Sequence, residues 1–243
     1  MSAGKEGSVR AILYALGANF GIAVSKFGAA WWTNSGSMLA EAIHSTADCV
    51  NQLLLLLGMR EARRPESADH PLGHHRVTYF WSMIVALLLF FMGGAFSVYE
   101  GIERLRHSHP LENGLVALAV LGVAVVLEAF SLAGAMREIR KVAHGKPFLR
   151  WFRETRESEL MVVAGEDIAA LAGLTLAFCA VAAALATGNP LWDALGTISV
   201  GVVLMVIAVL VMIEVKGLIV GESASPELRE EIQTFVAGQP EVA

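Results

Sequence analysis

Residues 191–220 read LWDALGTISVGVVLMVIAVLVMIEVKGLIV, thirty positions with only three charged side chains, at Asp193, Glu214 and Lys216. A helix needs about 20 largely apolar residues to cross a bilayer, so this stretch predicts a membrane span. Five further apolar runs of similar length occupy about 10–32, 38–59, 77–101, 113–136 and 160–187. No long alternation of apolar and polar residues, typical of barrel strands, occurs. The sequence therefore predicts an all-α membrane protein, a bundle of six transmembrane helices.

The composition agrees with this class. Hydrophobic residues make up 55% of the 243 residues and charged residues only 17%, whereas a soluble domain carries more charge. The formal net charge of -5 gives no reason to expect a nucleic-acid partner. The two cysteines, Cys49 and Cys179, both lie inside apolar runs and indicate neither a disulfide scaffold nor a cysteine-based zinc cluster.

Short turns separate the runs, and their charges predict an orientation. Thr33–Ser37 and Gly188–Pro190 are rich in turn residues and predict tight helical hairpins. Basic residues are concentrated in loops 60–76 and 137–157, and such loops stay in the cytoplasm. With six spans, both termini lie on that same side. The N-terminus lacks the pattern of a cleaved signal peptide, and we expect a multi-pass protein of a bacterial inner (plasma) membrane.

The composition changes after the sixth run. Residues Pro226–Val236 mix charged and apolar positions, and Ser225 followed by Pro226 is typical of a helix start. We therefore expect a transmembrane domain over 1–221. Residues 222–243 are expected to be only the first helix of a C-terminal cytoplasmic domain.

The second run carries four polar residues at helical spacing, Glu41, His44, Asp48 and Asn51. Intervals of three, four and three place them on one helix face. His44 and Asp48, one turn apart, can present an imidazole nitrogen and a carboxylate oxygen to one ion, and zinc accepts both. The alternative is a polar stripe that only hydrogen-bonds to other helices. Charged groups inside a bilayer are costly and usually functional, which favours a divalent metal site.

The fifth run contains adjacent carboxylates, Glu166 and Asp167. Two such charges in lipid repel each other unless they are protonated or bound to a cation. Neighbouring residues point about 100° apart on a helix, so one carboxylate can bind metal while the other contacts a neighbouring helix or carries a proton. The alternative is that the pair lies at a wet helix end.

Two further sets of polar residues are weaker indications. Asp69, His70 and His74 lie in the loop DHPLGHH, which can fold a turn that brings the two imidazoles together; the alternative is a loop that contains histidines by chance. Within the runs, a structural role is the preferred interpretation for the isolated polar residues Asn19, Lys26, Glu128 and Asp193.

Three segments together resemble the cation diffusion facilitators, the family that includes the zinc transporters. Residues 35–48, SGSMLAEAIHSTAD, resemble the second-span signature with its His-x-x-x-Asp metal pair; residues 69–76, DHPLGHHR, resemble the following loop; and residues 221–224, GESA, resemble the junction to the C-terminal domain. The resemblance implies six spans, a homodimer, and export of zinc or a related divalent ion in exchange for protons. It also implies His44, Asp48 and Asp167 as transport-site ligands, with Asp69, His70 and His74 as a candidate loop site.

One departure from that family bears on the metal. Zinc-selective members carry a second His-x-x-x-Asp pair on the fifth span, but Val163 occupies the histidine position here. Glu166 beside Asp167 resembles a divergent branch that includes the mitochondrial zinc transporters of animals. One imidazole with two or three carboxylates is a harder ligand set, which also suits manganese, iron, cobalt or nickel.

The sequence therefore predicts a proton-coupled antiporter that exports a divalent metal, zinc first, by alternating access. No cofactor is expected. An enzyme is not expected, because the His-Glu-x-x-His helix of zinc proteases is missing. The alternatives left open are a non-transporting membrane metal sensor or scaffold, and a passive channel.

Overall fold

The computed structural model describes the backbone of residues 2–33, 36–71, 73–107, 114–143, 145–221, 223 and 226–238. Within these ranges, the side chains of residues 2–8, 29, 30, 32, 33, 36–44, 47, 226 and 227 are outside the description. The described residues form helices and connecting turns, with no strand among them. The helices are α1 (Ser2–Thr33), α2 (Gly36–Glu61), α3 (Val77–Leu88), a π-helical segment (Leu89–Ala95), α4 (Phe96–Arg106), α5 (Gly114–Val142), α6 (Phe148–Glu154), α7 (Ser158–Thr187), α8 (Leu191–Val220) and α9 (Pro226–Ala237).

Five helical stretches among the described residues are long and apolar enough to cross a membrane, namely Val9–Gly28, Val77–Arg106, Gly114–Val142, Ser158–Thr187 and Leu191–Val220. Their outer faces carry large apolar side chains with more than half of their surface exposed, such as Phe20, Val126 and Ile213. A soluble protein rarely exposes so much apolar surface, whereas lipid covers it. The prediction of an all-helical multi-pass membrane protein is confirmed. The remaining predicted span, α2, is described with its side chains only from Ser45 onward, apart from Ala47.

The helices pack in a connected bundle. Helix α1 lies against α2 and α5, α7 lies against α5 and α8, and α4 lies against α8. One apolar core, at the end of the bundle where loop 62–76 and α6 lie, joins α1, α2, α5, α7 and α8 through fully buried residues such as Ile12, Leu55 and Met161. The turn between α7 and α8 is the predicted hairpin: Gly188 adopts a left-handed conformation at φ 66°, and the Leu191 N–H donates to Asn189 Oδ1 at 3.0 Å.

The basic segment 137–157 differs from a plain loop. Helix α5 continues to Val142, and a separate short helix, α6, follows it. Helix α6 is held because Trp151 is buried against the core and because Glu154 accepts from Lys146 Nζ and Arg150 Nε, both at 2.8 Å. These two contacts lower the pKa of the Glu154 carboxyl, Lys146 contributing most.

After α8, the predicted helix Pro226–Val236 is observed as α9, Pro226–Ala237. Its described side chains, from Leu228 to Ala237, are exposed. The predicted cap at Ser225 lies outside the described residues.

Candidate metal centre

Helices α2 and α7 place three of the predicted polar residues, Asn51, Glu166 and Asp167, in the interior of the bundle. Glu166 and Asp167 are buried, with 3% and 1% of their surface exposed. The wet-helix-end interpretation of this pair is therefore wrong. The Glu166 carboxyl accepts two hydrogen bonds from neighbouring amides of α2: Asn51 Nδ2 donates to Oε1 at 3.0 Å and Gln52 Nε2 donates to Oε2 at 2.6 Å.

Asp167 points to a different neighbour. Ser131 Oγ, on α5, donates to Asp167 Oδ2 at 3.0 Å. The other oxygen, Oδ1, is buried and has no hydrogen-bond partner among the described residues. A buried oxygen without a partner is costly unless something binds it, so Oδ1 is available to a proton or to a metal ion.

A cavity of about 270 Å³ opens beside these carboxyl groups. Asp48, Glu128 and Glu166 all line it, together with Lys26 and Ser45. Lys26 Nζ donates to Ser45 Oγ at 2.9 Å. Asp48 is an electrostatic neighbour of the carboxyl groups of Glu128, Glu166 and Asp167. Four acidic groups and one ammonium group thus share one buried region.

His44 belongs to α2, one turn before Asp48, but its side chain lies outside the described residues, as does that of Glu41. Among the side chains that are described, no three of His, Cys, Asp or Glu are close enough together to hold one ion. The complete set predicted for the transport site, His44 with Asp48, Asp167 and Glu166, therefore stays a prediction.

The loop residues are only partly brought together. The rings of His70 and His74 lie with their centroids 4.4 Å apart, and His74 Nδ1 is buried without a hydrogen-bond partner in the part of the chain that the structure describes. Asp69 does not complete a group of three ligands with them. Gly73 lies in the turn between the two histidines and has φ 74°. Glycine adopts this left-handed conformation readily because it has no Cβ.

Val163 occupies the position where zinc-selective cation diffusion facilitators have histidine. It is fully buried in the apolar core, which also contains Leu160 and Val211. Its side chain has no donor atom, so it takes no part in binding a cation.

Sequence reasoning missed two residues that touch the acidic pair, Gln52 and Ser131. Gln52 lies four residues after Asp48 on α2, and Ser131 lies three residues after Glu128 on α5. Such intervals place side chains on one helix face, which is the signal that could have found both residues.

Several known proteins resemble this chain over most of its length. The mitochondrial proton-coupled zinc antiporter SLC30A9 of Xenopus laevis is 35% identical over 216 residues, which cover 88% of this chain and 39% of that protein. Metal tolerance protein C4 of Arabidopsis thaliana is 32% identical over 232 residues, 94% of this chain and 50% of that protein. Zinc transporter ZitB of Escherichia coli is 30% identical over 129 residues, 53% of this chain and 41% of that protein. The chain thus spans half or less of the length of these relatives.

Residues 12–219 match the sequence model of a protein family described as the cation efflux transmembrane domain. The match covers all the helices that build the buried acidic region. It confirms the resemblance to the cation diffusion facilitators, including the branch similar to the mitochondrial zinc antiporter. Members of this family are transporters that use no cofactor, which confirms that an enzyme was not to be expected. The chain belongs to the cation efflux family.

Proposed function

We propose that the chain is the transmembrane part of a proton-coupled antiporter that exports a divalent metal cation, with zinc as the first candidate. The observation that carries this proposal is the cavity lined by Asp48, Glu128 and Glu166, with Asp167 buried beside it. Four acidic side chains inside a membrane bundle need either protons or a cation to offset their charge. A site that can hold either, but not both together, exchanges one for the other.

The proposed ligands come from two helices. His44 and Asp48 on α2 supply an imidazole nitrogen and a carboxylate, and Asp167 on α7 supplies the oxygen Oδ1 that no described residue contacts. Glu166 is a ligand or a proton carrier. Each of its oxygens accepts one amide hydrogen bond, from Asn51 or Gln52, and keeps a second lone pair for a cation or a proton.

The proposed cycle is alternating access. Metal enters from the cytoplasm and binds when His44 is neutral and the carboxylates are ionised, because ligands must be deprotonated to coordinate. After the helices rearrange, protons from the opposite side bind the same groups and release the ion. His44 suits this exchange, since the ordinary pKa of histidine is about 6.5.

The proposed topology has six spans, with α2 added to the five stretches found on the described residues. Loops 62–76 and 145–157 and both termini then face the cytoplasm. A homodimer in a bacterial plasma membrane stays a prediction, and so does the division into a transmembrane domain over 1–221 and the first helix of a cytoplasmic domain over 222–243.

The ligand set bears on the choice of metal. Without a second histidine at position 163, the site would hold one imidazole and two or three carboxylates. Such a mixture suits zinc and also admits manganese, iron, cobalt or nickel. The relatives named above as zinc transporters favour zinc.

Asp69, His70 and His74 form the proposed loop site at the cytoplasmic entrance. The support is the 4.4 Å separation of the two imidazole rings. A metal ion held there would be collected before it enters the bundle. Asp69 and His70 are exposed, which suits a weak, exchangeable site.

The test is metal-driven proton movement in proteoliposomes, followed with a pH dye, across zinc, manganese, iron, cobalt, nickel and cadmium. We expect wild type to move protons with zinc, and Asp48→Ala and Asp167→Ala to lose that movement. Binding of metal without any flux would favour the alternative of a membrane metal sensor or scaffold. Proton movement that survives in Asp48→Ala would contradict the ligand assignment.

A further inference from the structure

The cavity ends in an ion-pair network that the proposed transport cycle does not use. Arg104 Nη1 donates to Asp193 Oδ2 at 2.6 Å, and Arg104 Nε donates to Glu100 Oε1 at 3.1 Å. All three side chains line the cavity. They are partly exposed, Asp193 least, with 17% of its side chain accessible.

This network lies at the opposite end of the cavity from the buried acidic groups. Arg104 is two residues from the end of α4, and Asp193 is the third residue of α8. The cavity extends along α8 to Leu204, which packs against Ala169, one turn after Glu166. Eleven helical residues separate Asp193 from Leu204, a rise of about 16 Å at 1.5 Å per residue. We call the region of Glu100, Arg104 and Asp193 the mouth of the cavity.

The two carboxylates at the mouth have the chemistry of a divalent-cation site. Oxygen ligands from two acidic side chains are enough to retain zinc or manganese weakly. Arginine cannot coordinate a metal and does not lose its proton in a protein. Its planar fork can occupy two carboxylates at once, as it does here.

We propose that Arg104 acts as a fixed counter-ion at the mouth. Its guanidinium occupies Glu100 and Asp193, so that these carboxylates do not form a second site for the departing divalent cation. With Arg104 the mouth carries a net charge of about -1; without it the two carboxylates would carry about -2. This inference rests on the proposed export function, because it concerns the side on which the cation leaves.

A purely structural role, in which the ion pair fastens α4 to α8, fits the packing less well. The two helices already approach closely at glycines: a Cβ on Gly101 would lie 2.9 Å from Ile198 N, and a Cβ on Gly201 would lie 2.8 Å from Val98 N. The contact between them therefore does not depend on Arg104. Partly exposed ion pairs also add little to stability.

The first experiment counts zinc ions bound to the purified full chain in detergent by equilibrium dialysis. We expect Arg104→Gln to bind one more zinc per chain than wild type, and Arg104→Gln combined with Asp193→Asn to return to the wild-type number. Arg106→Gln is the matched control. Arg106 is exposed at the end of the same helix and does not line the cavity, so its loss should add no zinc.

The second experiment measures how zinc on the release side inhibits export in proteoliposomes. We expect inhibition of Arg104→Gln at a zinc concentration at least 10-fold lower than for wild type, while Arg106→Gln behaves as wild type does. If Arg104→Gln does not fold, Arg104→Ala removes the same charge, and Arg104→Lys, which keeps it, should bind no extra zinc.

The two proposals fail separately. A wild-type chain that moves neither zinc nor protons would contradict the proposed function, while the dialysis would still decide the role of Arg104. An unchanged zinc count in the folded Arg104→Gln and Arg104→Ala variants would overturn the counter-ion proposal and leave Arg104 with a structural role only.

Discussion

The two oxygens of Asp167 have different surroundings, and this difference defines how the residue can work. Oδ2 accepts from Ser131 Oγ, while Oδ1 has no partner among the described residues. The hydroxyl fixes the carboxyl group in one orientation and leaves one oxygen for a cation. Residues that orient a metal ligand in this way usually matter nearly as much as the ligand.

Ser131→Ala should therefore weaken metal binding about 10- to 100-fold without removing any ligand. Isothermal titration with zinc in detergent measures this. Ser199→Ala is the matched control, because Ser199 is exposed and its hydroxyl donates only to the Leu195 carbonyl of its own helix. Equal zinc affinity in the two variants would show that Ser131 does not orient the ligand.

At the scale of residues, the sequence identifies the acidic residues but not the side chains that donate hydrogen bonds to them. Glu166 and Asp167 are conspicuous because charge in an apolar helix is rare. Gln52 and Ser131 are uncharged and common in helices, so only the packing of α2 and α5 against α7 reveals that they donate to the two carboxyl groups. The isolated polar residues Lys26 and Glu128 also proved to line the same cavity.

At the scale of elements, the third span is not a continuous α-helix. The π-helical segment Leu89–Ala95 lies within it and places Gly94 against Gly201 of α8. Single π-helical turns often lie at functional sites, and Leu89, in this segment, lines the cavity. The sequence predicted an uninterrupted run here because hydropathy reports length and apolar character but not the hydrogen-bonding register.

Gly201→Ala should destabilise the bundle by about 1–3 kcal/mol, because an added Cβ would overpack the contact with the Gly94 carbonyl. Thermal unfolding in detergent measures the loss as a lower Tm. Gly17→Ala is the control: nothing lies within 4 Å of a Cβ there, and alanine is the better helix former. If Gly201→Ala melted at the same temperature as Gly17→Ala, the close approach of the π-helical segment and α8 would be wrong.

The ion pairs of helix α6, outside the membrane, make a pH-dependent contribution to the stability of the fold. The pKa of Glu154 is lowered by Lys146 and then by Arg150. A carboxyl group whose pKa is lower in the folded state stabilises the fold at pH values above its ordinary pKa of 4.5. That stabilisation is lost as the pH falls through the folded-state pKa.

Wild type should therefore melt at a higher temperature than Glu154→Gln at pH 7, and the difference should shrink as the pH falls below about 4.5. Thermal unfolding of both proteins between pH 7 and pH 3 checks this. Glu230→Gln, at an exposed position of α9, should show no such narrowing. A Tm difference that stays constant over the whole range would contradict the role of these ion pairs.

At the scale of the whole molecule, the arrangement of spans follows from hydropathy and the basic loops. Five spans are found on the described residues, and α2 is the proposed sixth. Its polar face, with Glu41, His44, Asp48 and Asn51, marks it as the site helix.

A single-cysteine experiment tests the topology. In a background with Cys49→Ala and Cys179→Ala, we expect Ser2→Cys and Glu66→Cys to react with an impermeant maleimide from the same side, and Asn189→Cys from the opposite side. Labelling of Ser2→Cys and Glu66→Cys from opposite sides would mean that α2 does not cross the membrane.

The central claim is that the buried acidic groups exchange a divalent cation for protons, and the most direct test is zinc transport under an imposed pH gradient. Zinc uptake into proteoliposomes is measured with the lumen either at the external pH or more acidic, for wild type and Asp48→Asn. The account predicts faster zinc uptake with the acidic lumen, accompanied by proton exit, and neither movement in Asp48→Asn. Zinc uptake that is independent of the gradient, or unchanged in Asp48→Asn, would contradict it.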